Sequence, residues 1–219
     1  MPAPDPEELL ANWEAGRGGG VCFEMTDMLH RLLASLGYRA HPVLAQISFP
    51  GSHQAVLVEI DGARYLGDAG NGAPFWEPIP VDRPYEVHHA GLAFRFRPGD
   101  AGGTCVQDRF IDGAWQQFFV YDLRPAADAE RFEALQRHHT IGESWVVDVP
   151  RLVRCEDDGV WALRGDELVR HTDDGKRTER LATPEDYVRA ARDAFALPAA
   201  PIVEALEAIA RRSQVGAQA

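Results

Sequence analysis

Between residues 53 and 68 the sequence leaves the backbone little choice. His53-Gln54-Ala55-Val56-Leu57-Val58-Glu59-Ile60 is an apolar, β-branched run; Asp61-Gly62 follows, and Ala63-Arg64-Tyr65-Leu66-Gly67-Asp68 returns. Asp-Gly between two such runs is a strong hairpin signal, because the tight turn that matches strand twist needs positive φ at both central positions. With Asp61 and Gly62 in the turn, Ile60 pairs with Ala63 and Asp68 falls opposite Ala55. Side chains alternate faces along a strand, so His53 and Asp68 share a face as diagonal neighbours, with Cα atoms about 7–8 Å apart. The hairpin alone thus predicts a His53–Asp68 hydrogen bond. The alternative is a surface histidine on an edge strand and an aspartate that only forms the turn before Gly70.

Around this hairpin the chain reads as one class of fold. A helix is expected over Pro6–Ala15, ahead of Gly18-Gly19-Gly20. A second runs from Cys22 to Leu36, with Cys22, Met25, Leu29, Leu32, Leu33 and Leu36 on one face and Gly37 as its stop. Strands are expected at Val43–Ile47, Leu92–Phe96 and Gln116–Tyr121, and a helix at Ala127–Gln136. Short strands follow from Val146 to Leu181, turning at Asp158-Gly159, Gly165-Asp166 and Asp174-Gly175. Thr183-Pro184-Glu185-Asp186 opens a helix to Phe195, with Thr as N-cap and Pro at the first position. Leu197–Arg212 is the last helix. Helix first and a long stretch of strands afterwards indicates α+β, not alternating α/β.

Composition excludes several functions. A formal net charge of -12 and a pI near 5.1 argue against binding a nucleic-acid backbone. With mean hydropathy -0.28 and no apolar run of about 18 residues, no membrane span is expected. The acidic, proline-rich N-terminus carries no secretory pattern. Cys22, Cys105 and Cys155 are odd in number and widely spaced, which fits neither a disulfide framework nor a metal knuckle and suits a reducing cytosol. His88-His89 and His138-His139, read as strand residues, point to opposite faces, so no metal site is expected. Gly102-Gly103 and Gly70-Asn71-Gly72 lack the lysine and the context of a phosphate loop. Of the 22 basic residues only Lys176 is lysine.

Cys22 follows a glycine run and opens an apolar-periodic helix. Glycines allow close backbone approach, and a helix N-terminus supplies N–H groups and a positive dipole end that favour a thiolate and can cradle an oxyanion. By itself such a cysteine reads more simply as buried filler. Joined to the hairpin, it completes a Cys–His–Asp set: a nucleophile, a histidine that takes its proton, and an acid that fixes the imidazole tautomer.

Arg17-Gly18-Gly19-Gly20-Val21-Cys22-Phe23-Glu24, with its helix ending at Leu36-Gly37-Tyr38, resembles the active-site signature of arylamine N-acetyltransferases. So does His53, followed by the Asp61-Gly62 hairpin, Tyr65, Asp68, Gly70 and Gly72. The resemblance extends towards Phe195 and takes in Ser144. It implies a papain- and transglutaminase-like cysteine-enzyme core in three parts. These are a shortened helical segment over 1–38 carrying the nucleophile, a β-barrel over 39–125 carrying His53 and Asp68, and a C-terminal α/β lid over 126–219. It further implies a cytoplasmic enzyme that moves an acetyl group from acetyl-CoA to an arylamine, hydrazine or related amine through a thioester on Cys22. Acetyl-CoA is then a cosubstrate, with no bound cofactor, and the backbone N–H of Cys22 is an oxyanion donor. Val21, Phe23, Gly70, Asn71 and Gly72 are the expected substrate- or CoA-binding positions. The same residues would suit an amide synthase acting on a carrier-bound acyl chain, a thiol hydrolase, or a non-catalytic paralogue.

This sequence departs from the family pattern in places. The Arg-Gly-Gly spacing carries one extra residue, which displaces Arg17, and Thr26 stands where asparagine is common. Only 21 residues precede the cysteine, where the family has a longer helical segment. A second copy could cover the apolar surface so exposed. Asn71 stands where an aromatic residue is common against the acceptor. An unpaired buried carboxamide there predicts weak activity on simple anilines and better activity on acceptors with hydroxyl, carboxamide or hydrazide groups. The alternative is that Asn71 only serves the Gly-Asn-Gly turn.

Overall fold

Strands β1 (Arg39–Gln46), β2 (His53–Ile60), β3 (Ala63–Gly67), β4 (Ile79–Pro80), β5 (Tyr85–His89), β6 (Leu92–Pro98), β7 (Thr104–Ile111) and β8 (Ala114–Asp122) form one antiparallel sheet. In the computed structural model, which describes residues 5–16, 19–100, 102–140 and 144–216, its order is β4-β3-β2-β1-β8-β7-β6-β5. Arg17 and Gly18 of the glycine-rich motif lie outside the described residues. The sheet curls into a nearly closed barrel. Val43, Ala55, Leu57, Leu66, Phe94, Phe96, Phe119 and Tyr121, from both halves of the order, share one buried core. Phe75, ahead of the β4 edge, meets Phe94 and Phe96 on β6 edge-on at 5.1 Å, which brings the free edges together.

Helix α1 (Pro6–Glu14) is capped by Asp5, and α2 (Cys22–Ser35) starts at the cysteine. Helix α2 lies against β1 and β2 and buries Cys22, Phe23 and Thr26, whereas Leu32 and Leu36 of the expected apolar face are exposed. Three polar residues fix it there: Thr26 Oγ1 donates to the Gln54 carbonyl at 2.8 Å, and Gln54 Nε2 donates to Asp27 at 3.1 Å. Arg131 of α3 (Asp128–His138) donates to Gln54 Oε1 at 3.0 Å and pairs with Asp27. Gln54 is fully buried. Losing any partner of this cluster would leave a buried polar group unpaired, which costs about 1–3 kcal/mol.

A second sheet, β9 (Arg151–Glu156), β10 (Gly159–Arg164), β11 (Glu167–Thr172) and β12 (Gly175–Arg180), is a meander backed by α4 (Pro184–Phe195), and α5 (Ala199–Gly216) follows. Thr183 caps α4 as the sequence indicates, with Pro184 at its first turn. Strand β12 is exposed along its whole length and carries Lys176, Arg177 and Arg180, charges that discourage further strand pairing on this edge. The two sheets meet near the hairpin. His89 hydrogen-bonds the Glu156 carbonyl at 2.8 Å, and a Cβ on Gly72 would lie 3.1 Å from Val153.

The α+β class and the hairpin register agree with the sequence reading: Ile60 pairs with Ala63 and Val56 with Gly67. Asp61 and Gly62 both have positive φ, 52° and 79°. Strand β3 stops at Gly67, one residue before Asp68. His88 and His89 lie in strand β5, as read, but the bounds of β5 and β7 and the short strand β4 are not among the expected segments. Two meander turns sit one residue earlier than expected, since Glu156 pairs with Gly159 and Thr172 with Gly175. His138 and His139 are the end and C-cap of α3 and not strand residues, because the helix runs past Gln136 through two more residues.

Candidate active site

The hairpin delivers His53 and Asp68 to one place, each 4% exposed. His53 Nε2 lies 2.8 Å from Asp68 Oδ2 and 2.9 Å from Oδ1. The Cys22 side chain interacts with the same imidazole. Phe119 of β8 stacks on the ring with centroids 4.4 Å apart, and Tyr121 meets it edge-on at 6.2 Å. The imidazole is therefore held at Nε2 by Asp68 and on one face by Phe119.

Cys22 is brought to this ring by two contacts. Phe23, 3% exposed, anchors the first turn of α2 among Ala134 and Leu135 and meets His138 edge-on at 5.3 Å. From the other side comes Gly70: a Cβ there would sit 2.3 Å from Cys22 Cα and 2.6 Å from its Cβ. No other residue allows that approach.

The electrostatics follow from this burial. Dehydration alone would strip the proton from His53, but the Asp68 carboxylate and the Cys22 sulfur outweigh it, and the imidazole is pushed up to about 10. Burial likewise favours the neutral form of Asp68; the His53 charge and bonds from His53, Asn71 and Tyr121 reverse that and hold the carboxyl below its usual range. Asp68 Oδ2 accepts from three donors: His53 Nε2, Tyr121 O–H at 2.7 Å and Asn71 Nδ2 at 2.9 Å. Burial and the neighbouring Asp68 charge keep Tyr121 protonated far above its ordinary range, so it stays a donor. Burial pushes the thiols of Cys105 and Cys155 up to about 12 and about 11.

Of the expected binding positions, Gly70 and Asn71 touch the site directly. Val21 packs half-buried beside Cys22 and Phe23, the Phe23 side chain is committed to packing, and Gly72 lies exposed under Val153. The Asn71 carboxamide turns inward: Nδ2 donates to Asp68 and to Gln107 Oε1 at 2.9 Å, and Oδ1 accepts from Arg109 at 3.3 Å. Its polar groups are thus paired, so the desolvation penalty expected against an aromatic acceptor does not arise from this residue. Ser144 is buried and donates no triad contact; its Oγ accepts from the Val146 N–H at 3.3 Å.

Sequence reasoning missed Tyr121, Gln107, Arg109 and Phe119. A usable signal was present, since Tyr121 falls on the inward face of β8 beside Phe119, and Gln107 is buried on β7 beside Cys105 and Val106. A polar residue at such a position needs a buried partner. Among the described residues no group of three or more His, Cys, Asp or Glu could hold a metal ion, and no helix is long and apolar enough to cross a membrane.

Comparison with known proteins agrees with this architecture. Residues 5–201 match the N-acetyltransferase family. Proansamycin X synthase of Amycolatopsis mediterranei is 28% identical over 130 residues, which are 55% of this chain and 49% of the synthase, so the chain spans about half of that relative. The arylamine N-acetyltransferase of Mycobacterium tuberculosis is 24% identical over 213 residues, 91% of this chain and 74% of that one. Among solved structures, the Mycobacterium marinum arylamine N-acetyltransferase in complex with CoA superposes with TM-score 0.78 at 22% identity, covering 90% of this chain and 77% of the other. The matched span holds both sheets and every residue gathered around Cys22, and the chain accordingly belongs to the N-acetyltransferase family, among the arylamine N-acetyltransferase-like acyltransferases.

Proposed function

We propose that the protein transfers an acetyl group from acetyl-CoA to an arylamine or hydrazine by a two-stage mechanism, with Cys22 as nucleophile, His53 as proton carrier and Asp68 as orienting acid. One observation carries this reading: His53 is bound to the buried Asp68 carboxylate at 2.8 Å and interacts with the Cys22 sulfur, with its imidazole pushed up to about 10. The family membership and a CoA-bound relative of the same fold support the donor.

In the first stage the Cys22 sulfur attacks the acetyl carbonyl, the bond to the CoA sulfur breaks, and the departing thiolate takes the proton from the His53 imidazolium. The N–H groups at the start of α2 are placed to stabilise the oxyanion formed on the way. In the second stage neutral His53 removes a proton from the amine as its nitrogen attacks the thioester carbonyl. The bond to Cys22 then breaks, and the imidazolium–thiolate pair is restored. Asp68, fixed by Tyr121 and Asn71, keeps the ring turned to Cys22 throughout.

Incubation with acetyl-CoA labelled in the acetyl group tests this. One equivalent should attach to Cys22, vanish in Cys22→Ala, and leave when an aromatic amine is added. Absence of label on Cys22 overturns the reading. A second reading, an amide synthase acting on a longer acyl thioester, is favoured by the likeness to proansamycin X synthase. Labelling by long-chain but not acetyl thioesters would select it.

A further inference from the structure

His138 ends α3 between the two elements that carry Cys22 and His53, and is 3% exposed. Its ring meets Phe23, the residue after Cys22, edge-on with centroids 5.3 Å apart. It also interacts with the backbone of Ser52, the residue before His53. Arg131 lies seven residues earlier on α3, about two helical turns and so on the same face. It makes a parallel link, pairing with Asp27 of α2 and donating to Gln54 of β2 at 3.0 Å. Helix α3 therefore clamps α2 to β2 at two levels, and the level at His138 is the one beside the reacting pair.

The segment that leads into His53 is seated on the same turn of α3. Arg137 lies over the buried Phe49 ring, its guanidinium carbon 4.3 Å from the centroid. Gly51, at φ 77°, approaches so closely that a Cβ on it would stand 3.1 Å from the Ala134 Cβ. Ser52 Oγ accepts from the Ile47 and Ser48 N–H groups at 2.9 and 3.3 Å, which closes the loop on itself. Residues 47–52 are thus a tight loop resting on Ala134, Arg137 and His138, and the peptide that leaves it carries His53.

Histidine at this place has a cost. Nδ1 is buried with no hydrogen-bond partner among the described residues. Burial, with His139 and His53 nearby, pushes the imidazole down to about 4, so the ring is neutral at working pH. Phenylalanine would fill the same space against Phe23 without a stranded nitrogen, and a buried unpaired polar atom calls for a reason. That reason lies at Ser52. With Nδ1 unpartnered, the contact falls to Nε2, which gives the peptide ahead of His53 a polar neighbour that a carbon ring lacks.

We propose that His138 is a positioning residue for the acyl transfer, setting the separation of Cys22 and His53 through Phe23 on one side and Ser52 on the other. The inference rests on Cys22 and His53 as the reacting pair. Positioning and mere packing rank two variants in opposite order. His138→Phe keeps a ring against Phe23 and loses the contact to Ser52, whereas His138→Gln keeps an amide N–H for Ser52 and gives up the ring. For positioning, His138→Phe should melt at or above the parental Tm. Its kcat for CoA release from acetyl-CoA should nevertheless fall about tenfold or more, with KM within about twofold of the parent. His138→Gln should keep kcat within about threefold of the parent even where its Tm is lower. For packing, His138→Phe is parental and His138→Gln is the impaired one.

A second readout needs no turnover: the rate at which iodoacetamide alkylates Cys22, followed on the Cys22 peptide so that Cys105 and Cys155 do not count. It should fall in His138→Phe and recover in His138→Gln. Parental kcat in His138→Phe, equal loss in both variants, a loss carried by KM, or alkylation that ranks the variants the other way overturns the proposal. If His138→Phe does not fold, His138→Gln decides, near-parental kcat upholding the role and a large loss ending it. Absence of acetyl label on Cys22 in the parent sinks the acyl transfer, while the alkylation order still reads His138.

Discussion

Replacing Gly70 by alanine isolates the closest contact in the site. The added Cβ would stand 2.3 Å from Cys22 Cα, 2.6 Å from its Cβ and 3.2 Å from its carbonyl carbon. Ordinary carbon contacts are about 3.5–4.0 Å, so loop and helix must part by roughly 1 Å or more, and two of the three opposing atoms are backbone. Over-packing of this kind costs about 1–3 kcal/mol. For a chain of this size that lowers Tm by about 2–4 °C for each kcal/mol, hence about 2–12 °C in all. A displacement of about 1 Å at a nucleophile costs about 100-fold in rate. Gly67→Ala is the control: its Cβ would lie 3.1 Å from the Leu29 Cδ2 methyl, the free end of a flexible side chain that can turn aside. Thermal melts and CoA release from acetyl-CoA should therefore show Gly67→Ala close to the parent and Gly70→Ala impaired in both. Parental behaviour of Gly70→Ala, or equal damage from Gly67→Ala, would refute the reasoning.

Asp68→Asn keeps the hydrogen-bonded shape but removes the charge that holds the imidazolium, and CoA release should fall by about 100-fold or more; a loss under tenfold counts against the orienting role. His53 is raised to about 10, so its contribution to folding is complete below the ordinary value of 6.5 and is lost as pH climbs towards 10. Parental Tm should decline across that window more steeply than that of His53→Gln, and coincident curves would contradict the ion pair. Tyr121→Phe keeps the ring and removes one donor to the Asp68 carboxylate, so Asp68 takes its proton at higher pH and the acid limb of CoA release moves up by about one pH unit. An unmoved limb would reduce Tyr121 to packing.

The hairpin was legible because its register depends on two turn residues and a period of two, and both are written locally. Helices α2 and α4 were legible for the same reason, through spacing and caps. The barrel's closing strands were not. β5 is a short strand of Tyr, Glu, Val and two His whose faces alternate only weakly, and β7 carries polar Gln107 and Asp108 in its buried half. Those residues look like loop until their partners are known, and the partners, Asn71, Tyr121, Arg95 and Arg97, lie 11 to 36 residues away. For the same reason the three catalytic candidates could be read from the sequence, whereas the side chains that hold Asp68 could not. Asn71 was noticed as a departure from a family pattern, but its inward turn depends on contacts with β7 and β8.

The exposed edge strand β12 carries the chain's single lysine, Lys176. Guanidinium groups stay protonated and do not compete as amine nucleophiles, so a protein whose other basic side chains are all arginine offers an activated acyl group one ε-amine of its own. Self-acylation of side-chain amines is thereby confined to a single address, readable as one modified peptide and distinct from the thioester on Cys22.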